Sequence, residues 1–311
     1  MSIFTTITDP EQRQDPYLEA IDNYLDFADE VVVIDGSEEF EKGLLVGKNI
    51  KWIGSNWSKE FDWDFIGKQF TRGYLSCTGD WVMRMDIDYF LHPDDFEDII
   101  EFLKNCDAPA AMMPKKQFLL ADRYRVKSLV PVAYNKGKYG DRIKLDSGGD
   151  LCQPSLDGKE LNKEMLPIIS RKEYIIVGDD VTKKQQRKRL PKEYKREGNV
   201  VQYMNRGIHL WNYECLLRTK KVEAREFHRF AKAWKRTFGN DPLGAESEEK
   251  ALEKFLDMQL GRFKNDGWAT IKLKEHPKYI QETIKKLTKE QFGYSLWNHT
   301  EPANYFKDLD E

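Results

Sequence analysis

Gly79-Asp80-Trp81-Val82-Met83-Arg84-Met85-Asp86-Ile87-Asp88-Tyr89-Phe90-Leu91-His92-Pro93 decides how this chain is read. It reads as a buried strand that ends in two carboxylates one residue apart. Strand alternation sends residues 86 and 88 to the same side of the backbone, so both acids face one point at the strand's exit. Mg²⁺ or Mn²⁺ is commonly held by one or two carboxylates plus phosphate oxygens, and this spacing leaves room for a diphosphate. Asp-x-Asp alone is short, and a solvated strand end carries the same residues, so its surroundings have to decide.

Upstream, Ser2 to Thr8 reads as a short strand, and Pro16 to Phe27 puts Tyr17, Leu18, Ile21, Tyr24 and Leu25 on one helical face. Glu30-Val31-Val32-Val33-Ile34-Asp35-Gly36-Ser37 is a continuous β-branched run closed by a turn, the pattern of a strand covered on both faces. Lys48 to Trp52 adds a strand and Phe65 to Cys77 a helix. The order strand, helix, strand, strand, helix, strand predicts an α/β sheet. Ligands of open α/β sheets sit beyond the carboxyl ends of the strands, where Thr5, Asp35 and Asp86 to Asp88 would gather. The first third of the chain therefore predicts a nucleotide pocket.

This ordered set resembles the nucleotide-sugar half of family 2 type glycosyltransferases. It comprises Val31 to Ser37, Gly67-Lys68-Gln69 on a helix, and Thr78-Gly79-Asp80-Trp81-Val82 leading to Asp86-Ile87-Asp88. The resemblance covers roughly residues 1–100. It implies a GT-A type, Rossmann-like mixed sheet flanked by helices, and a metal-dependent hexosyl- or pentosyltransferase that inverts its sugar. It also implies a donor site in which Thr5, Thr6 and Asp35 line the base and ribose, with Gln69 nearby on its helix. Asp86 would approach the ribose or the metal, and Asp88 would bind Mn²⁺ or Mg²⁺. A UDP-sugar is the favoured donor and a GDP-sugar the second. Thr71 stands where the pattern often has Asn, and Tyr89 follows the Asp-x-Asp where an acidic or small residue is commoner.

Further along, Asn205-Arg206-Gly207-Ile208-His209-Leu210-Trp211-Asn212-Tyr213 is similar to the segment of many GT-A enzymes in which a histidine completes the metal shell and a following basic residue, here Lys220, meets the diphosphate. Imidazole nitrogen suits Mn²⁺, and a buried histidine satisfied by the core is the competing reading of His209. His228 is the next candidate ligand. Lys116 to Val132 mixes basic and apolar residues in strand-like alternation, and Asp141 to Asp150 and Gly178 to Asp180 read as acidic, glycine-containing loops. Inverting transfer needs a carboxylate to take the acceptor's proton, and Asp150 and Asp179 are the candidates, with turn formation the competing role of each.

From Tyr213 onward the chain reads as helices, with apolar stripes at Leu216, Val222, Phe227, Phe230 and Trp234, then from Glu249 to Phe263, and a last helix from Tyr279 to Leu287. The predicted division is a catalytic domain over 1–212 and a helical C-terminal region over 213–311. The 311 residues, 40% hydrophobic, suffice for one large core or two unequal ones. Apolar runs are strand-sized, none reaches the roughly 18 residues of a membrane span, and no apolar leader is read, so a cytoplasmic protein is expected. Cys77, Cys106, Cys152 and Cys215 form no Cys-x-x-Cys pair and read as reduced thiols.

Residues 183–196 hold eight basic residues and one acid in a chain of net charge −3. That run reads as a solvated loop, a clamp on the diphosphate, or the seat of a polyanionic acceptor such as nucleic acid or an anionic glycan. Two other classes compete with glycosyl transfer. A nucleotidyltransferase would share the sheet and the acidic seat, but it usually opens with a glycine- and arginine-rich loop, and Thr6 to Arg13 contains no glycine. A non-catalytic nucleic-acid or sugar-binding module would leave the Asp-x-Asp unexplained.

Overall fold

The computed structural model describes residues 1–38, 48–58, 60–171, 208–265 and 269–294. In chain order these form β1 (Ser2–Ile7), α1 (Pro10–Arg13), α2 (Tyr17–Phe27), β2 (Glu30–Asp35), β3 (Ile50–Gly54), α3 (Trp63–Ser76), β4 (Trp81–Arg84), β5 (Tyr89–Phe90), α4 (Phe96–Lys104), β6 (Ala110–Leu120) and β7 (Arg123–Asn135). They continue as α5 (Lys136–Tyr139), β8 (Ile143–Asp146), β9 (Gln153–Leu156), β10 (Lys159–Glu160), β11 (Leu210–Asn212), α6 (Lys220–Phe238), α7 (Glu248–Asn265), β12 (Ala269–Thr270) and α8 (Lys278–Lys285). The fold is the expected α/β class, a mixed sheet flanked by helices.

Along the main sheet the strands run β3, β2, β1, β4, β7, β6, β11, β5, with β12 paired to β7. The first four are mutually parallel, as the β-branched runs predicted. Alternation splits them between two cores. Ile3, Val31, Val33 and Met83 pack with Tyr17, Ile21 and Tyr24 of α2. Phe4, Val32, Ile34 and Val82 pack with Phe70 and Tyr74 of α3. The α3 helix starts where the Asp62 side chain accepts the Phe65 N–H at 2.7 Å, satisfying one of the four orphan donors of a helix start.

Three sequence expectations change. The strand read through Asp86 and Asp88 ends at Arg84, and the two acids lie in a turn closed by the Tyr89 N–H on the Asp86 carbonyl at 2.8 Å. The alternation read from Lys116 to Val132 is the middle of a longer β6–β7 hairpin, in which Pro114 is accommodated at a register shift between Met113 and Lys115. The loop read at 141–150 contains β8, which joins β9 and β10 in a small second sheet lying against α3.

After β11, α6 is capped by the Thr219 side chain on the Val222 N–H at 3.4 Å and stops at Gly239, whose φ of 74° favours glycine. Helices α6 and α7 pack together, α8 lies on α2, and β12 returns to the edge of β7. Among the described residues no helix is long and apolar enough to cross a membrane.

Candidate active site at the strand ends

Parallel register places Ile7, Asp35 and Gly54 side by side at the carboxyl ends of β1, β2 and β3, with Phe4 beside Arg84 of β4. Three loops leave the sheet together at this edge. The Gly36 N–H donates to the Ile7 carbonyl at 2.9 Å, and the Asp9 N–H to Ser37 Oγ at 2.7 Å. Asp35 Oδ1 accepts the Ser37 N–H at 2.9 Å, while its carbonyl accepts the Ser55 N–H at 2.7 Å. Ser55 then donates through its hydroxyl to Gln69 Oε1 at 2.7 Å. The structure thus brings Asp35 and Gln69 together through Ser55. Thr5 is buried, and its hydroxyl has no hydrogen-bond partner among the described residues; Thr6, one residue on, is half-buried.

The Asp86–Tyr89 turn is held from below by one phenol. Tyr24 Oη donates toward the carbonyls of both Asp86, at 2.7 Å, and Tyr89, at 2.9 Å. Asp86 keeps a side chain 24% exposed, with Arg84 Nε 3.9 Å from its Oδ1. Asp88 is buried and accepts from the Asn212 amide at 3.3 Å, while its carbonyl accepts the Tyr213 N–H at 3.0 Å. Burial, with Glu214 and Asp86 adding repulsion, pushes the Asp88 carboxyl well above the usual range.

Beside this turn lies a second group. Lys115, buried on β6, donates to Asp150 Oδ1 at 2.6 Å and to Tyr89 Oη at 3.0 Å, and Tyr89 Oη lies 3.3 Å from the same Asp150 oxygen. Burial works against the Lys115 ammonium, but Asp150 and then Glu214 outweigh it and hold its pKa above the ordinary value. The fully buried Arg84 donates to the Gly149 carbonyl at 2.7 Å and lies over the Phe70 ring. Arg218 forms a third buried pairing, to Asp15 at 2.6 Å and Glu223 at 3.4 Å, while Arg13 reaches Asp15 at 2.8 Å and Glu226 at 2.7 Å. This network fastens the loop after β1 to α6.

The other expected site residues stand apart. His209, buried just before β11, has the parity of Trp211, which packs on Phe118, His92 and His276; Asn212, which meets Asp88, has the opposite parity. Among the described residues no three His, Cys, Asp or Glu side chains form a group able to hold a metal, so His209 does not join Asp86 and Asp88 in one. Lys220 is exposed at the start of α6, and His228 bonds the Ala245 carbonyl at 3.0 Å. Asp179 and the basic run 183–196 lie outside the described residues.

A cation seated here would have at most two protein carboxylates, Asp86 and Asp88, and would take its other positions from a ligand's oxygens. Of the two, Asp86 keeps its side chain 24% exposed while Asp88 is buried on the Asn212 amide, so Asp86 is the one open to such a ligand. Sequence reading missed Arg84, Lys115, Asn212 and Arg218. The one signal for Lys115 was the polar stretch Lys115-Lys116-Gln117 inside an otherwise apolar run from Ala110 to Leu120.

No protein-family model matches the chain, and no curated protein matches it. Among solved structures, S. aureus TarS 1–349 is similar at 13% identity over 84% of this chain and 79% of that one, with a TM-score of 0.35. The same protein in complex with UDP aligns over 37% of this chain and only 35% of its own, at a TM-score of 0.30. The bifunctional IspDF of Campylobacter jejuni is 15% identical over 46% of this chain and 42% of its own, at a TM-score of 0.31. Likenesses this weak say nothing of this chain's activity.

Proposed function

We propose that this chain is a glycosyltransferase that takes a nucleotide sugar at the carboxyl edge of β1, β2 and β4. One observation carries the reading: Asp35, Ser55 and Gln69 are joined at the carboxyl ends of the strands, and the turn after β4 places the partly exposed Asp86 at the same end of the sheet. The first group suits hydroxyl and amide partners such as a ribose and a base. The second suits a cation on a diphosphate.

In this reading Thr5, Thr6 and Asp35 receive the nucleoside, and Asp86 with Asp88 holds Mg²⁺ or Mn²⁺. The ion, when bound, neutralises charge on the leaving diphosphate. A carboxylate, Asp150 or Asp179, takes the proton of the acceptor hydroxyl as that oxygen attacks the anomeric carbon and the nucleoside diphosphate departs with inversion. The reading needs neither His209 nor Lys220.

A thermal-shift series with UDP, GDP and their sugar conjugates, each with and without Mn²⁺, tests it. A ligand at a hundred times its Kd adds about 2.7 kcal/mol to stability, enough to raise Tm by several degrees. One nucleoside diphosphate should stabilise the chain in a Mn²⁺-dependent way, and Asp86→Asn should abolish that response. Stabilisation by nucleoside triphosphates alone would favour nucleotidyl transfer, and no response to any of these ligands would sink the donor site.

A further inference from the structure

We propose that Lys116, set against the rings of Trp211 and Tyr124 on the face of β6 opposite Lys115, is a nucleophilic amine that takes an acyl group from a thioester. The bond from Nζ to the acyl carbon forms as the carbon–sulfur bond breaks, and the thiol leaves with the proton that the amine gives up. The products are an Nε-acyl-lysine and a free thiol, and no further reactant is needed.

Alternation along β6 sends Lys115 toward Asp150 and Lys116 to the other side of the sheet, where parallel register sets it beside Trp211 of β11. Its Nζ lies 4.2 Å from the centre of the Trp211 ring and 4.8 Å from that of Tyr124. His92 and His276 also meet Trp211, at 5.4 Å and 5.9 Å between ring centres, so the walls of this seat are aromatic. Among the described residues no carboxylate lies within ion-pair distance of the Lys116 ammonium and no acceptor within hydrogen-bond distance. The residue is half-buried, which leaves a way in for a small reagent.

Ring faces attract an ammonium but replace only part of the water and counterion that it loses on burial. Asp95, just before α4, and Glu275, before α8, are the carboxylates that favour its charged form, and Asp95 is itself bonded by Arg171 at 2.6 Å. The other titratable groups around the rings add no counterion. His92 lies against Asp94 at 3.5 Å, while burial keeps the His276 ring and the Tyr124 phenol uncharged near pH 7. Burial outweighs Asp95 and Glu275 and lowers the Lys116 pKa to about 8. At pH 7.5 roughly a quarter of such an amine is neutral, against about one part in a thousand for a lysine of ordinary pKa near 10.4. The neutral amine is the nucleophile. A thioester suits the seat because its reacting end is uncharged, whereas an acyl phosphate would bring its own anion toward Asp95 and Glu275.

Trace acetylation of the full chain with the acetyl thioester of N-acetylcysteamine, read by peptide mapping and fragment sequencing, tests this without any variant. At pH 7.5 Lys116 should take up label about tenfold faster than the exposed Lys144 and Lys159. Lys115, 1% exposed and bonded to Asp150 and Tyr89, should stay unlabelled. Between pH 7 and pH 9 the Lys116 rate should rise about tenfold and level off, where a lysine of ordinary pKa gains about a hundredfold. In guanidinium chloride the lead should vanish, because the fold creates it. Labelling of Lys116 no faster than that of Lys144 and Lys159 would overturn the proposal, by showing that the rings only pack an ammonium. A lead that survives in guanidinium chloride would also overturn it, by tracing the reactivity to the local sequence. An equal lead toward acetyl phosphate would overturn the choice of a thioester.

Discussion

The Tyr24 phenol has a task that its place in the sequence conceals. As one of five apolar or aromatic residues on the α2 face it reads as core filling, and its ring is fully buried. Its hydroxyl, however, bridges the carbonyls at both ends of the turn that presents Asp86 and Asp88. Tyr24→Phe keeps the ring and removes the bridge, and should cost about 1–3 kcal/mol as buried carbonyls lose their donor. Urea denaturation measures this directly, and an unchanged midpoint would show that the turn holds without the phenol. The same reason explains what was legible at this scale. Asp35, Gln69, Asp86 and Asp88 stand out as candidates in the sequence because they lie in ordered local patterns. Lys115 and Arg84 were not, because their partners Asp150 and Gly149 are 35 and 65 residues away. Nothing local marks such a pairing.

At the scale of elements, the helices and parallel strands were readable because their periods are strong and uninterrupted, as in Val31 to Ile34 and in the α2 face. Reading failed where backbone hydrogen bonding breaks a hydrophobic run. Trp81 to Leu91 reads as one strand by its alternation, yet the chain turns at Asp86, and β5 pairs antiparallel with β11, a partner more than a hundred residues away. The α3–β8 contact was equally hidden. Thr71, where the resemblance has Asn, donates its hydroxyl to the Leu145 carbonyl at 3.0 Å and accepts the Leu145 N–H at 2.9 Å. Four residues earlier, Gly67 lets the backbones meet: an added Cβ would lie 2.5 Å from the Ser147 nitrogen and 3.0 Å from the Leu145 oxygen. Gly67→Ala should therefore destabilise the chain by about 1 kcal/mol or more, overpacking of about 1–3 kcal/mol outweighing the gain of about 1 in helix propensity. Gly261 in α7 has open space around its missing Cβ, so Gly261→Ala should stabilise by up to about 1 kcal/mol. Opposite shifts in Tm are expected for the two variants. Equal shifts would mean that α3 and β8 are not held at this separation.

At the scale of the whole molecule, the C-terminal segment closes on the sheet through a titratable group. His276 places one ring nitrogen 2.9 Å from the Ala121 carbonyl at the tip of the β6–β7 hairpin and the other 2.8 Å from Tyr213 Oη. The neutral ring serves both by donating from Nε2 to the carbonyl and accepting at Nδ1 from the phenol. Burial, with smaller contributions from Lys116 and His92, pushes the His276 pKa down to about 4, against an opposing pull from the Ala121 bond. Because the folded value lies below the unfolded value of 6.5, the native state binds fewer protons. Its contribution is complete above pH 6.5 and is lost as pH falls toward 4. Glu223 runs the other way: burial raises its carboxyl to about 7, so its contribution is present below pH 4.5 and fades as pH rises through 7. The two oppose each other over much of the same window, which flattens the wild-type profile and hides either one. A His276→Gln variant keeps Glu223, so the opposing contribution cancels when the two proteins are compared. Between pH 7 and pH 4.5 the wild type should lose about 2–3 kcal/mol more stability than the variant, as measured by urea denaturation at both values. Parallel losses would mean that His276 takes up its proton as readily in the native state as in the unfolded one, so that a charged ring can close the C-terminal segment onto the hairpin.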